Sequence, residues 1–432
     1  MSAPSMSAPG YPARAAAAAL VSGVLDAGRT LADQAADLGH LAPAERARAQ
    51  ALAAGVLRHL GRIDAVLAPH LRKPPAPPAR HALRLATAEM FLDGVPPHAA
   101  VDGAVRLTRG HPKARHLSGL VNAVARRVSE APHTWAEAAE ADLPGWIRKP
   151  VTAAWGEGAA AAVAEAHRAQ APLDLTLRDP GAAADWAEAL GAEILPTGGL
   201  RRAAGAQVSA LPGYEAGAWW VQDAGAALPA RILGDVAGKR VLDLCAAPGG
   251  KTLQLAAAGA EVTAVDLSRP RLKRVEENLA RCRLSARIVA ADALKWEPEA
   301  EFDAILLDAP CSASGTIRRH PDLPHLKRDL GALTRLQAAL LARAWDWLAP
   351  GGRLVYAVCS ILPAEGEDQA AAFAARGDAA RLAIDPAALG APEGWVDAAG
   401  ALRLRPDFWA ERGGIDGFYA ALFARRPESG GE

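Results

Sequence analysis

Two cysteines stand in matching settings. Leu307-Asp308-Ala309-Pro310-Cys311-Ser312 and Tyr356-Ala357-Val358-Cys359-Ser360 each read as the end of a strand running into irregular chain. Both thiols are therefore expected in one crevice, outside the carboxyl ends of a sheet, with Asp308 beside them. A cysteine is most often a small buried hydrophobe, and that reading is kept for Cys245 and Cys282. Two thiols and a carboxyl group next to a nucleoside pocket fit a demanding reaction, methylation at C5 of cytosine. That carbon is too weak a nucleophile to attack a methyl sulfonium. Thiolate addition at C6, with a carboxyl group hydrogen-bonded at N3, turns the C4–C5–C6 unit into an enamine whose C5 can attack. The adduct must then lose the C5 proton and expel the thiol, a step that a second thiol can assist.

The nucleoside pocket is read from Asp243-Leu-Cys-Ala-Ala-Pro-Gly-Gly-Lys251-Thr252, where glycines allow a tight turn and close approach of a ligand to a helix N-terminus. A P-loop needs Gly where Cys245 stands, so Gly250-Lys251-Thr252 is no Walker motif, and no GxGxxG fingerprint occurs. What remains is a loop followed by Asp266, at the end of the second strand, and by Asp292 after the third. A carboxylate in the first of these places can accept both ribose hydroxyls of an adenosine.

The elements that must position these groups alternate from about Lys239 onward. Strands are expected at Val241 to Leu244, Val262 to Asp266, Ile288 to Ala290, Ala304 to Asp308 and Leu354 to Val358, with Phe418 to Phe423 as a closing edge strand. Helices are expected at Lys251 to Ala258, Arg269 to Arg281 and Leu330 to Leu348. The fold class is α/β, a doubly wound, mostly parallel sheet over residues 236–427. Residues 11–135 carry helix-period apolar spacing broken at Pro43, at Lys73 to Pro78 and at Pro96-Pro97, which predicts an all-helical domain of five or more helices. Residues 136–235 read as a small mixed α/β connecting segment, with helical stretches at Trp146 to Trp155 and Gly158 to Gln170 and extended chain at Leu173 to Leu177 and Trp219 to Val221. No internal repeat stands out.

At 432 residues, and roughly 150 per domain, two to three domains are expected. Half of the residues (51%) are hydrophobic, which excludes disorder for most of the chain. Lys plus Arg balances Asp plus Glu at 48 each, but the total hides an asymmetry. Residues 1–135 hold 16 basic against 9 acidic side chains, a surplus of +7, and the remainder holds 32 against 39. Arg106, Arg109, Lys113, Arg115, Arg126 and Arg127 collect late in that basic part. A nucleic-acid-binding domain and a solvated charged face both fit this pattern. No apolar run is long enough to cross a membrane and no signal peptide is evident, so a cytoplasmic protein is expected. Four scattered cysteines without a CxxC pair argue against disulfides and zinc.

At this point residues 239–425 resemble the two-cysteine RNA 5-methylcytosine methyltransferases. The resemblance rests on Asp243 to Thr252, on Asp308-Ala-Pro-Cys311-Ser-Ala-Ser-Gly-Thr and on Cys359-Ser-Ile-Leu-Pro-Ala-Glu-Gly-Glu. It implies S-adenosylmethionine as cofactor and no metal. Cys245, Ala246, Ala247, Pro248, Gly249, Gly250 and Lys251 would line the cofactor site, Asp266 would hold the ribose, and Asp292 would lie near the adenine. Asp308 would contact both cofactor and target base, Cys359 would be the nucleophile, and Cys311 would assist release. Arg318-Arg319-His320-Pro321-Asp322 also matches and is expected to face RNA. Val95-Pro-Pro-His-Ala-Ala-Val-Asp-Gly-Ala-Val105 and Gly119-Leu-Val-Asn122-Ala-Val-Ala-Arg126 resemble the NusB-like RNA-binding domain, and Val221-Gln222-Asp223 fits as well. That fusion is similar to the bacterial 16S rRNA cytosine methyltransferases, in particular those acting at cytosine 967. Unassembled 16S rRNA is therefore the expected partner, with no DNA, no membrane and a monomeric chain. Two positions depart from the family. Val358 stands where Thr is usual, which removes a hydroxyl beside the thiol, and Gly366 stands where Asn is common.

The alternatives differ in class. A zinc deaminase needs a second thiolate where Ser314 stands, and a serine hydrolase needs a GxSxG that is absent. A non-catalytic RNA-binding factor on a methyltransferase scaffold has no physical need for Asp308, Cys311 and Cys359 together. The same chemistry on tRNA or another rRNA site stays open, discriminated only by the NusB-like resemblance.

Overall fold

The computed structural model describes residues 10–139 and 142–426. They divide into two units: the described residues up to Arg148 together with His320–Arg328, and Lys149–Arg319 together with the described residues from Asp329 on.

The first unit is helical: α1 (Tyr11–Leu25), α2 (Pro43–Arg58), α3 (Leu60–Leu67), α4 (Pro77–Phe91), α5 (Pro97–Gly110), α6 (Ser118–Glu130) and the short α7 (His133–Glu137). The prolines that break the apolar pattern also start helices. Proline stands in the first turn of α1, α2, α4 and α5, where its missing N–H costs nothing and its fixed φ suits the helix. Leu20, Val21, Leu52, Val56, Leu83, Leu85, Val101, Val105, Val121, Val124 and Val128 meet in one core. Each such side chain contributes roughly 1.5–3 kcal/mol by leaving water. Segment His320–Arg328, distant in sequence, lies against these helices. Leu31 N donates to Asp322 Oδ2 at 3.0 Å, and His325 Nε2 bonds the Leu57 carbonyl at 2.9 Å.

Chain Gly145–Arg168 (α8) is helical on both sides of Gly156, whose φ of 84° breaks the ladder. In the second unit β1 (Leu173–Leu177), β2 (Glu193–Ile194), β3 (Leu200–Arg202) and β4 (Trp219–Val221) make an antiparallel sheet in the order β2-β3-β1-β4, joined by α9 (Ala183–Leu190).

The larger sheet carries the site. Its strands are β5 (Arg240–Leu244), β6 (Glu261–Asp266), β7 (Arg287–Ala290), β8 (Phe302–Asp308), β9 (Leu348–Val358), β10 (Ala379–Leu382), β11 (Leu402–Arg403) and β12 (Tyr419–Arg425). They run in the order β10-β12-β9-β8-β5-β6-β7, with β11 on β12. β9 through β7 are parallel, so Leu244, Asp266, Asp308 and Val358 end on the same side of the sheet. Helices α10 (Ala224–Ile232), α11 (Gly250–Ala257), α12 (Arg269–Cys282), α13 (Leu330–Asp346) and α14 (Glu367–Ala374) complete the layers. Strand residues alternate between two cores. Leu242, Leu244, Ile305, Leu307, Leu354, Tyr356 and Val358 pack on one face, and Val241, Val262, Ala304, Leu306, Val355 and Ala357 on the other.

One expectation is corrected. The strand at Phe418 to Phe423 is interior, since β12 pairs with β9 on one side and with β10 and β11 on the other. Its alanine-rich neighbour Ala379–Leu382 and the two-residue β11 are too short and too little patterned to announce themselves as strands, yet they cover its edge.

Candidate active site

Strands β8 and β9 are adjacent, with Asp308 opposite Ala357. Ala309 N donates to Ala357 O at 2.8 Å and Gly315 N to Cys359 O at 3.0 Å, so the two chains stay in step past the end of the sheet. The result is direct contact of the two thiols, Cys311 Sγ to Cys359 Sγ 3.4 Å, with both residues partly exposed. The hydrogen bond to Cys359, burial, and the charges of Cys359 and Glu365 push the Cys311 thiol well up, against a smaller opposing pull from the Ala313 backbone N–H.

Lys251, at the start of α11, donates through Nζ to Asp308 Oδ2 at 2.7 Å. Burial lowers the Lys251 value, but Asp308 outweighs it, through charge and the hydrogen bond, so the ammonium is held above its ordinary range. The ammonium also lies 5.1 Å from the centre of the Phe418 ring. The Asp308 side chain keeps 27% of its exposure and remains reachable. Asp243, fully buried, accepts from Thr252 Oγ1 at 2.5 Å, while its Oδ1 has no partner.

The loop between β5 and α11 is close-fitting. Gly249 has φ 103°, and a Cβ there would come within 2.9 Å of Val275 Cγ1. Cys245 itself adopts φ 64°, and burial, followed by Asp266, Asp308 and Asp243, drives its thiol far upward. Buried Cys282 is likewise pushed up by burial. Neither resembles a nucleophile. Asp266 ties the loop down, accepting from Ala247 N at 3.1 Å through Oδ2 and from Ser268 N at 2.8 Å through Oδ1. Arg271 adds a hydrogen bond to the Ala247 carbonyl. Asp292, at the end of the neighbouring strand, accepts from Leu294 N at 3.0 Å.

Sequence reasoning missed two apolar groups here. Leu267 is 75% exposed directly after Asp266, and Leu294 is exposed two residues after Asp292. Asp266 and Ala290 are partners across β6 and β7, so both leucines belong to the same corner of the sheet. An exposed leucine next to an acidic strand end was the available signal. The second missed residue type is a buried carboxylate, Glu365, behind the thiols.

The arginine pair is a correction. Arg318 is 1% exposed and donates to Asp223 Oδ2 at 2.8 Å and Asp416 Oδ1 at 3.0 Å; Arg319 donates to Asp223 Oδ2 at 2.6 Å. Burial favours the neutral acid at Asp223, but Arg319 and Arg318 overcome it and hold its carboxyl well below the usual range. Buried Arg318 does not face RNA, and Arg319, with 22% of its side chain exposed, is committed to the same carboxylates. In the helical unit, by contrast, Arg109, Lys113, Arg115, Arg126 and Arg127 are exposed, while Arg106 pairs with Asp102 at 2.7 Å.

Comparison with known proteins agrees with this layout. Residues 230–424 match the family described as 16S rRNA methyltransferase RsmB/F, and residues 11–130 match the NusB family. The chain is 37% identical to ribosomal RNA small subunit methyltransferase B of Klebsiella pneumoniae over 397 residues, 85% of this chain and 91% of that one. It is also 37% identical to the protein of the same name from Vibrio cholerae, over 96% and 97%. Among solved structures, PH0851 superimposes with a TM-score of 0.72 at 22% identity over 96% and 99%, which speaks for the fold. A methyltransferase homologue from Pyrococcus horikoshii does so at 0.54 and 26% identity over 64% and 93%. S-adenosylmethionine is the cofactor such an enzyme uses, and the residues fit it. Apolar Leu267 and Leu294 stand beside carboxylates suited to a nucleoside. With relatives this similar along nearly its full length, the chain belongs to the RsmB/F family of 16S rRNA methyltransferases.

Proposed function

We propose that the protein methylates C5 of a cytosine in 16S rRNA, cytosine 967 by resemblance, through a covalent bond between Cys359 and C6 of the base. The observation that carries this reading is the 3.4 Å contact between Cys359 and Cys311 at the end of two parallel strands, with Asp308 on one of them. Cys359 adds to C6 as the thiolate. The Asp308 carboxyl group donates its proton at N3, Lys251 stabilises the carboxylate left behind, and the enamine form that makes C5 nucleophilic is favoured. S-adenosylmethionine supplies the electrophilic methyl group when bound. Asp266 and Asp292 would hold its nucleoside, Leu267 and Leu294 would offer apolar surface to the base, and residues Cys245, Ala246, Ala247, Pro248, Gly249, Gly250 and Lys251 would line the rest of its site together with Asp308. After transfer, C5 gives up its proton and the C6–sulfur bond breaks. Cys311, a protonated thiol touching the departing sulfur, assists this elimination by passing its proton to that sulfur and taking up the one that leaves C5.

The target base must leave its stack to reach Cys359, so an unpaired site in 16S rRNA is expected, methylated in the cytoplasm before subunit assembly buries it. The exposed basic residues of α5 and α6 supply phosphate contacts, and the chain acts as a monomer. Two variants test the roles. Cys359→Ala abolishes methylation while cofactor binding persists; substantial residual turnover would overturn the assignment. Cys311→Ala accumulates a covalent RNA adduct on denaturing gels, and normal turnover in this variant would remove Cys311 from the mechanism.

A further inference from the structure

Behind the two thiols lies a fully buried carboxylate. Glu365 is 0% exposed. Its Oε1 accepts from Ser312 N at 2.8 Å, and its Oε2 accepts from Ser312 Oγ at 2.5 Å and Ser360 Oγ at 2.6 Å. Ser312 and Ser360 are the residues immediately after Cys311 and Cys359. Gln337 of α13 donates through Nε2 both to Glu365 Oε1, at 3.1 Å, and to the carbonyl of Pro310, at 2.9 Å. The residues on both sides of Cys311 are thereby gripped, while Cys359 is held through its neighbour on the carboxyl side. Ser314 closes the cage, with Ser314 Oγ 3.0 Å from Ser360 Oγ and accepting from Ile361 N at 3.1 Å. Tyr356 OH fixes the backbone of Glu365 itself through its carbonyl, at 2.5 Å.

We infer that Glu365 is a positioning residue that holds the sulfurs of Cys311 and Cys359 in contact, by bridging the two chain segments that carry them. The inference rests on the two-thiol reading above. The physical case is that β8 and β9 have ended before the cysteines begin, and beyond the ladder the two backbone bonds Ala309 N to Ala357 O and Gly315 N to Cys359 O keep the chains in step without holding the side chains of Cys311 and Cys359. The side-chain bridge between the two segments is a small network: the Ser312 and Ser360 hydroxyls lie 3.3 Å apart, Ser314 Oγ contacts both, and the Glu365 carboxylate is the charged group that accepts from both. Four donors converge on it from three segments: residues 310–314, residues 356–365 and α13. A buried carboxylate is tolerated only when its oxygens are satisfied in this way, which makes the arrangement rigid. The same charge behind Cys311 adds to the upward push on that thiol.

The test uses the full chain and reads the sulfurs directly. The oxidant diamide takes up one hydrogen from each thiol and leaves a disulfide, so the rate at which Cys311 and Cys359 become linked, followed by mass spectrometry, reports how often the sulfurs meet. Glu365→Ala is expected to slow that rate at least tenfold. It should also lower kcat at least tenfold, with KM for RNA and for S-adenosylmethionine within twofold. Glu365→Gln can still accept from Ser312 N and Gln337 while its amide donates to hydroxyls that also accept, so it should rescue both rates to within about threefold of wild type. Ser360→Ala, which keeps the carboxylate bonded on the Cys311 side, covers the case in which the alanine variant does not fold, and is expected to slow disulfide formation several-fold. Wild-type linking rates in Glu365→Ala or Ser360→Ala overturn the proposal, as does a loss of kcat with the linking rate unchanged. None of these results depends on which sulfur is the nucleophile. Methylation that survives Cys359→Ala is the separate result that defeats the underlying reading.

Discussion

The buried Asp243 makes the stability of the second unit depend on pH in a calculable way. It is the penultimate residue of β5, just before the loop into α11, and burial pushes its carboxyl group up to about 7, against the smaller opposing effects of Thr252 and Lys251. Replacing it with Asn keeps an acceptor for Thr252 Oγ1 and removes the ionisation. Because the folded-state value lies above the unfolded one, near 3.8, the folded chain retains a proton that the unfolded chain releases. The stabilisation is complete below the unfolded value and disappears as pH rises through about 7. About three pH units at 1.36 kcal/mol each give roughly 4 kcal/mol, with no discount for solvent because the side chain is fully buried. At about 2–4 °C per kcal/mol for a unit of this size, that is a shift on the order of 10 °C. The measurement is the unfolding midpoint of wild type and Asp243→Asn by calorimetry at several pH values from 4 to 8. The variant should gain on wild type steadily across that range and stop gaining near 8. Any fixed cost of the substitution cancels in the comparison. A midpoint difference that stays flat from pH 4 to 8 would mean that the carboxyl group ionises as in water, and would refute the argument from burial.

Two further substitutions separate structural cations from RNA-binding ones. Arg318→Met should cost about 3–5 kcal/mol of unfolding free energy, because it strips a buried guanidinium from Asp223 and Asp416. The salt dependence of RNA binding by the folded variant should be unchanged, and a shallower slope would place Arg318 on a phosphate after all. Arg126→Ala combined with Arg127→Ala removes two exposed charges from α6. It should weaken RNA binding and lower the slope of log affinity against log salt by between about 1 and 2, with S-adenosylmethionine binding intact. An unchanged slope would take this face of the helix out of the RNA interface.

The contrast between these arginines explains what the sequence revealed and what it hid. Parallel strands β5, β6, β8 and β9 were legible because each is buried on both faces and reads as an apolar run ending in a polar or reactive residue. Since all parallel strands of a sheet end on one side, locating Asp243, Asp266, Asp308 and Cys359 at strand ends already located them near one another. That inference needs only local pattern and topology. Arg318 and Arg319 required something else. Their partners Asp223 and Asp416 lie 95 and 98 residues from Arg318, and a buried ion pair is spelled with the same letters as a solvated loop. The edge strands failed for a related reason, since β10 and β11 are specified by the neighbour they cover rather than by their own alternation.

Glu365 falls between the two cases. Its place in Cys359-Ser-Ile-Leu-Pro-Ala-Glu put it six residues from Cys359, close enough to be noticed, yet spacing alone cannot distinguish a surface carboxylate from one that accepts four hydrogen bonds. What a motif encodes is the set of groups that must be present. Which of them react and which hold the others still depends on burial and on partners remote in sequence, here Ser312 and Gln337. A clamp of this kind also bears on Val358. If the carboxylate fixes the thiols from behind, a hydroxyl on the residue before Cys359 is no longer needed to orient its sulfur, and the apolar side chain, fully buried in the core of the sheet, serves packing instead.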